Sequence, residues 1–271
     1  MKTLLAGLSV LISVAALAQQ PAFEAASIRR NDSGREGGGA GPRGDRFLAN
    51  NLPLTSLLAY AFQPPQGQLL RSQIVGAPAW ADSDRYDIEA KAAGDGRPIP
   101  IAQIRAMVQS LLQDRFQLKW HSEKRDLPVY HLVLLKGGPK LSQDQTPPET
   151  RNLMIDFITA GAPETPLPRG AMRMVRGPSS TTLIGSAVSV SRLMLLLRGQ
   201  SDRMVIDQTG FTGLFDLHLE FRPAAAEVAA GANDSAPSLF TAIQDLGLKL
   251  ESAKAPMDVV VVDRVQKPSG N

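Results

Sequence analysis

The chain has 271 residues, no cysteine, three histidines and a formal charge of +3. Without cysteine there are no disulfides, thiolate metal sites, iron–sulfur clusters or cysteine nucleophiles, and three imidazoles are few for a three-histidine metal centre. A near-neutral balance with 5% aromatic residues gives no reason to expect nucleic acid, and nothing in the composition asks for a cofactor.

The N-terminus reads as an address. Met1-Lys2 precedes an apolar run from Leu4 to Leu17, which closes on Ala16-Leu17-Ala18. A positive start, a short apolar core and small residues two apart make a secretory signal over residues 1–18, cleaved near Ala18. The run is shorter than the roughly 18–20 residues of a spanning helix. The mature chain is expected in the periplasm or outside the cell, with no membrane span.

Residues 19–45 hold a strand, Phe23 to Ile28, and then a glycine-rich stretch from Ser33 to Gly44, expected as a flexible loop. It lacks the Gly-Lys-Ser/Thr ending of a phosphate-binding loop. Residues 46–141 form a first ordered block. Its expected elements are a strand at Arg46 to Ala49, a helix at Pro53 to Phe62, and strands at Gln73 to Gly76 and Tyr86 to Ala90. Ile101, Ile104, Val108, Leu111 and Leu112 share one face of a second helix that ends near Arg115. A hairpin of Phe116 to Ser122 with Val129 to Leu135 closes the block. Residues 142–180 hold six prolines and read as a linker around one short apolar piece, Leu153 to Ile158.

Residues 181–271 form the second block. It has a strand at Thr182 to Gly185, a helix at Val190 to Arg198 capped by Ser189, and a strand at Met204 to Asp207. In the next strand Phe215, Leu217, Leu219 and Phe221 alternate with Asp216, His218 and Glu220, so one face is buried. A mobile stretch, Ala224 to Pro237, precedes a helix at Ser238 to Leu246. A second hairpin pairs Leu248 to Ser252 with Asp258 to Val265, and Val259 to Val262 reads as a central strand.

The two blocks look alike. Leu118, Lys119, Lys124, Leu127 and Val129 match Leu248, Lys249, Lys254, Met257 and Val259 without a gap. Tyr86-Asp87-Ile88-Glu89 matches Phe215-Asp216-Leu217-His218. The expected architecture is α+β. It comprises two similar β-α-β-β-α-β-β subdomains, each with two helices on one face of a small mixed sheet.

Few residues suggest chemistry. Asp207-Gln208-Thr209-Gly210 resembles an aspartic-protease motif with one residue inserted, but the first block supplies no second carboxylate copy. A strand end followed by a turn accounts for it better. His121 and His131 would face each other across the first hairpin, with Glu123 nearby, more simply as a solvated face than as a metal site. Trp80, with Pro78 and Tyr86, offers an apolar ligand edge or a cap on the first sheet. The candidate binding residues are therefore Trp80, Tyr86, Asp87, Asp207, Thr209 and Asp216, with no catalytic or metal-ligating residue assigned.

Several segments together carry a resemblance: Phe23-Glu24-Ala25-Ala26-Ser27-Ile28, Asn51-Leu52-Pro53-Leu54-Thr55, Gly76-Ala77-Pro78-Ala79-Trp80, Tyr86-Asp87-Ile88-Glu89-Ala90-Lys91, Val205-Ile206-Asp207-Gln208-Thr209-Gly210 and Val262-Asp263-Arg264-Val265. The chain resembles the family known as domain of unknown function 3738, exported proteins with an internal duplication that are abundant in soil Acidobacteria. The resemblance implies no established activity. Similar domains occur as exported appendages of antibiotic-sensing membrane metallopeptidases, which implies signalling or ligand capture. A more distant likeness links each block to the short N-terminal domains of secretins and TonB-dependent receptors, which bind periplasmic proteins. The expected function is a non-enzymatic envelope module that binds an envelope protein or peptide by strand addition, with a ligand groove at the seam of the blocks. The competing expectation is a hydrolase or peptidase-like enzyme with its site at the same seam.

Overall fold

The computed structural model describes residues 20–35, 37–64, 69–94, 96–138, 166–177, 180–222 and 236–268. The signal segment and Leu153 to Ile158 lie outside these, as does most of Ala224 to Pro237. In chain order the elements are β1 (Ala25–Arg30), β2 (Gly39–Arg43), β3 (Arg46–Pro53), α1 (Leu54–Ala61), β4 (Ile74–Val75), α2 (Trp80–Ser83), β5 (Arg85–Lys91), α3 (Ile101–Arg115) and β6 (Lys119–Leu134). There follow β7 (Met172–Arg176), β8 (Thr181–Ser189), α4 (Val190–Gln200), β9 (Met204–Asp207), β10 (Leu214–Phe221), α5 (Leu239–Ala242) continued by a 3-10 turn (Ile243–Leu246), and β11 (Leu248–Arg264). The fold class is α+β.

The chain divides into two compact units. The first takes Met1–Ala61, Ala79–Lys119 and Arg264–Asn271; the second takes Phe62–Pro78 and Trp120–Asp263. In the first unit β1-β5-β3-β2 form one antiparallel sheet. Phe47, Ala49, Ile88 and Ala90 are buried on one face, where Leu54, Leu57 and Leu58 of α1 and Ile104, Val108 and Leu112 of α3 are buried too. Alternation in the strands and the three-to-four spacing in the helices place all these side chains inward.

The second unit holds two sheets. One is antiparallel, in the order β10-β8-β7. The other has the order β4-β11-β6-β9, with β4 parallel to β11 and β9 parallel to β6. One core joins them: Phe215, Leu217, Leu219 and Phe221 from β10, Leu193, Met194 and Leu197 from α4, and Leu132, Val205 and Leu248 from the mixed sheet. Ser189 caps α4, its hydroxyl accepting from the Arg192 amide at 3.3 Å. The order β5-β3-β2 in the first unit has its counterpart in β10-β8-β7 in the second, with a helix following the middle strand in each.

Four expectations need correction. The two hairpins are absent. Lys119–Leu134 and Leu248–Arg264 are each one long strand, and they pair with each other. They run antiparallel, because His121 near the start of β6 bonds Asp263 near the end of β11, while Leu135 bonds Gly247. A proline and a run of charges around Pro128 and Pro256 mimic a turn. Proline is tolerated in a strand where no neighbour needs its N–H. Among the described residues, β9 pairs β6 only from Val129 to Leu132, and β4 pairs β11 only at Val260 and Val261. Secondly, the blocks do not each form one mixed sheet, since these long strands share a sheet of their own. Thirdly, His121 and His131 do not face each other; they lie on one strand.

The fourth correction concerns the segments read as loop and linker. The glycine-rich stretch contains β2, which pairs with β3. Glycine serves close approach there, because a side-chain carbon on Gly38 would stand 2.4 Å from the Asn50 carbonyl oxygen. The proline-rich segment ends in β7, which pairs with β8.

Candidate functional site

The site that best gathers side chains lies within the second unit. It is a groove of about 860 Å3. Phe62, Leu69 and Trp120 line one part, with the Phe62 and Trp120 rings edge to face at 4.3 Å. Ser191, Met194 and Leu195 of α4 line another. Their spacing of three and four puts them on one helical face. Leu195 is 54% exposed, so its side chain is an accessible part of the groove wall. Met257–Val260 of β11 and Met204–Asp207 of β9 complete the lining. These residues come from both sequence blocks.

The β9 lining is informative because it is consecutive. Side chains alternate faces along a strand, so a run of successive lining residues brings backbone as well as side-chain atoms to the groove wall, as it also does along Met257–Val260 of β11. β9 is the last strand of its sheet, with β6 on one side and no strand on the other among the described residues. Its outer edge therefore carries unpaired backbone groups. Beside β11, the Gln73 amide donates to the Asp258 carbonyl at 2.9 Å and its Oε1 accepts from the Leu70 amide at 3.0 Å. Gln73 is buried and holds the segment before β4 against β11.

The polar lining is sparse: Gln73, Ser122, Ser191, Asp207 and Asp258. The Asp207 Oδ1 accepts from the Thr209 amide at 2.9 Å and from its hydroxyl at 2.7 Å, and the Thr209 oxygen accepts from the Phe211 amide at 3.1 Å. This closes the turn after β9 and fixes the carboxylate at the groove. Asp258 has Lys124 Nζ at 2.9 Å, both side chains being well exposed.

Asp207 thus borders the groove, with Thr209 behind it as its anchor. The other four residues named from sequence are elsewhere. Tyr86 is 2% exposed and packs edge-on against Phe116 at 5.2 Å, and burial pushes its hydroxyl pKa up. It is core. Trp80 is half-buried at the start of α2, with Lys267 Nζ 5.6 Å from its ring centre. Asp87 and Asp216 serve the backbone. Asp87 accepts from the Asn51 amide at 2.8 Å, and Asp216 from the Ala187 amide at 2.9 Å.

The sequence reading missed Phe62, Trp120, Met194, Leu195, Met204, Met257 and Asp258. Trp120 carried one signal, a large aromatic in the otherwise polar first half of its strand, Lys119 to Asp126. His121 has Asp263 at 2.9 Å and Glu123 at 3.8 Å, and the Asp263 hydrogen bond holds its pKa above the usual histidine range. No group of three or more potential metal ligands occurs among the described residues.

Comparison with known proteins gives one family, described as "Protein of unknown function (DUF3738)", which matches residues 55–265. No curated protein and no solved structure matches the chain.

Proposed function

The chain belongs to the DUF3738 family, and we propose that it is an exported, non-catalytic binding module of the cell envelope. Its groove takes an extended peptide segment that adds as a strand to the outer edge of β9. The observation that carries this reading is the edge position of β9, whose residues Met204–Asp207 border an apolar trough. Main-chain hydrogen bonds along such an edge supply affinity, and alternate side chains fill the trough. Export rests on the N-terminal pattern of residues 1–18. No described helix is long and apolar enough to cross a membrane. The shared order of β5-β3-β2 and β10-β8-β7 supports an internal duplication. In this reading the groove lies where the two copies exchange strands, β4 beside β11 and β9 beside β6.

The lining favours binding over hydrolysis. Its hydroxyls, Ser122 and Ser191, have no histidine or lysine among the residues that border the groove. A nucleophile needs a base in hydrogen-bond reach.

The test is calorimetric titration of the full chain with an acetylated, amidated heptapeptide carrying leucine at positions two, four and six and glutamine elsewhere. N-methylating alternate residues on the edge that faces β9 should weaken binding about tenfold or more, while methylating the opposite edge should not. Leu195→Asp should also weaken binding, without unfolding the chain, because Leu195 is exposed. Equal binding of both N-methylated forms would refute strand addition, and no binding at all would refute the peptide groove.

A further inference from the structure

The groove has a charge character that its apolar lining conceals. Two ionisable side chains border it, Asp207 and Asp258, and no lysine, arginine or histidine does among the described residues. The two carboxylates differ. Asp258 is balanced by Lys124 at 2.9 Å. Asp207 is held by neutral donors: the Thr209 amide and hydroxyl both bond its Oδ1, an arrangement that orients the group without neutralising it. It sits at the end of β9, where a peptide laid along that edge would pass. The remaining lining is soft and aromatic, with Met194, Met204 and Met257 beside Trp120 and Phe62. Thioethers adapt to varied apolar side chains, and an aromatic face accepts a cation.

We infer that the occupant of this groove is an extended peptide whose groove-facing side chains are apolar except for one, a lysine or arginine that lies beside the end of β9. This rests on the peptide-groove reading above and specifies its ligand. Apolar side chains enter between α4 and Trp120, and a basic side chain reaches Asp207 at the end of β9. An acidic peptide of the same apolar pattern meets the Asp207 carboxylate, which pairs with no cation among the described residues, and is rejected. Discrimination comes from repulsion as much as from attraction.

The experiment titrates the full chain with three heptapeptides that share leucine at positions two and four and glutamine at one, three, five and seven. Position six, on the leucine face, is lysine, glutamine or glutamate. The lysine peptide is expected to bind about tenfold tighter than the glutamate peptide, with glutamine between. Raising the salt should shrink the gap, since exposed charges are screened over about 10 Å at 0.1 M. Asp207→Asn keeps an Oδ1 acceptor for Thr209 and should remove most of the gap; Asp258→Asn should remove less. If the three peptides bind equally, or if glutamate binds best, the charge inference falls and the peptide groove stands. If a gap persists unchanged in Asp207→Asn, the assignment of that carboxylate falls. If none of the three binds, both readings fall together.

Discussion

Two strand-to-helix junctions do the same job with different residues. Where β3 runs into α1, the register with β5 shifts between Ala49 and Leu52, and Asn51 takes a left-handed conformation at φ 52°. Where β8 runs into α4, the register with β10 shifts at the same place in the pattern, and Ala187 takes φ 47°. In each case a carboxylate from the neighbouring strand, Asp87 or Asp216, accepts the amide of the left-handed residue. A β-bulge turns the chain into a helix, and an aspartate satisfies the donor that the bulge frees. The junctions differ in how firmly they are tied. Asp87 also accepts from the Asn31 side chain at 2.9 and 3.0 Å, and the Asn51 side-chain Nδ2 donates to the Arg35 and Gly37 carbonyls at 2.8 and 2.6 Å. The methyl group of Ala187 can make no such hydrogen bond.

The largest expected effect breaks that symmetry. Asp87→Ala removes an acceptor shared by two donors and should cost about 3 kcal/mol in urea unfolding. Asp216→Ala strands one backbone donor and should cost about 1.5 kcal/mol. Equal losses would mean that the Asn31 contact contributes nothing.

Glycine at the two left-handed positions sharpens the comparison by reversing its sign. Alanine in the left-handed region costs roughly 1–2 kcal/mol, which glycine relieves at the expense of backbone entropy. Ala187→Gly should therefore raise stability by about 0.5–1 kcal/mol. Asn51→Gly relieves less strain and loses both carbonyl contacts, so it should lower stability by about 1–2 kcal/mol. Thermal melts of the two variants check both signs.

These junctions also mark how far the sequence can be read. The matched Tyr86-Asp87 and Phe215-Asp216 segments drew attention to both aspartates from spacing alone. Spacing could not reveal that each serves a backbone amide 36 or 29 residues earlier in the chain. Local pattern served well where structure is local. The helix Ile101–Arg115, the alternation in β10 and the Ser189 cap all follow from short-range periodicity and hydrogen bonding. It failed where a partner is distant. β6 and β11 read as hairpins because each strand's true partner lies about 130 residues away, and a proline amid charges looks like a turn. The groove was illegible for the same reason, since Phe62, Trp120, Met194 and Met257 meet only in the fold. Asp207 alone stood out, because a carboxylate ending a strand before Thr-Gly is a local signal.

The junctions differ in their ionic surroundings as well. Asp84, just before β5, is 11% exposed in its side chain and has Lys267 Nζ at 2.6 Å and Arg30 at 3.8 Å. The hydrogen bond from Lys267 holds its pKa below the usual carboxylate range, helped by the charge of Arg30. Gly213 occupies the matching place before β10. A lowered carboxylate pKa adds stability that is complete above the unfolded value, about 3.9, and is lost as pH falls through the folded one. Unfolding followed from pH 5 to pH 2 should show an acid-sensitive contribution that Lys267→Ala flattens. An unchanged acid limb in that variant would show that Lys267 does not hold Asp84.

The smallest effect concerns the long strands and has the opposite pH sign. His121 on β6 pairs with Asp263 on β11, whereas Glu251, its counterpart in the repeat, bonds Lys249 two residues away on its own strand. The Asp263 hydrogen bond raises the histidine pKa, with Glu123 adding to it. A raised histidine pKa gives stability that is full below about pH 6.5 and is lost as pH rises through the folded value. Both partners are well exposed, so salt should weaken the effect. NMR titration of the imidazole should give a value above that of a free histidine, and Asp263→Asn should bring it back towards 6.5. A titration unchanged by Asp263→Asn would assign the shift to Glu123 and leave the two long strands without a cross-strand ionic contact at this position.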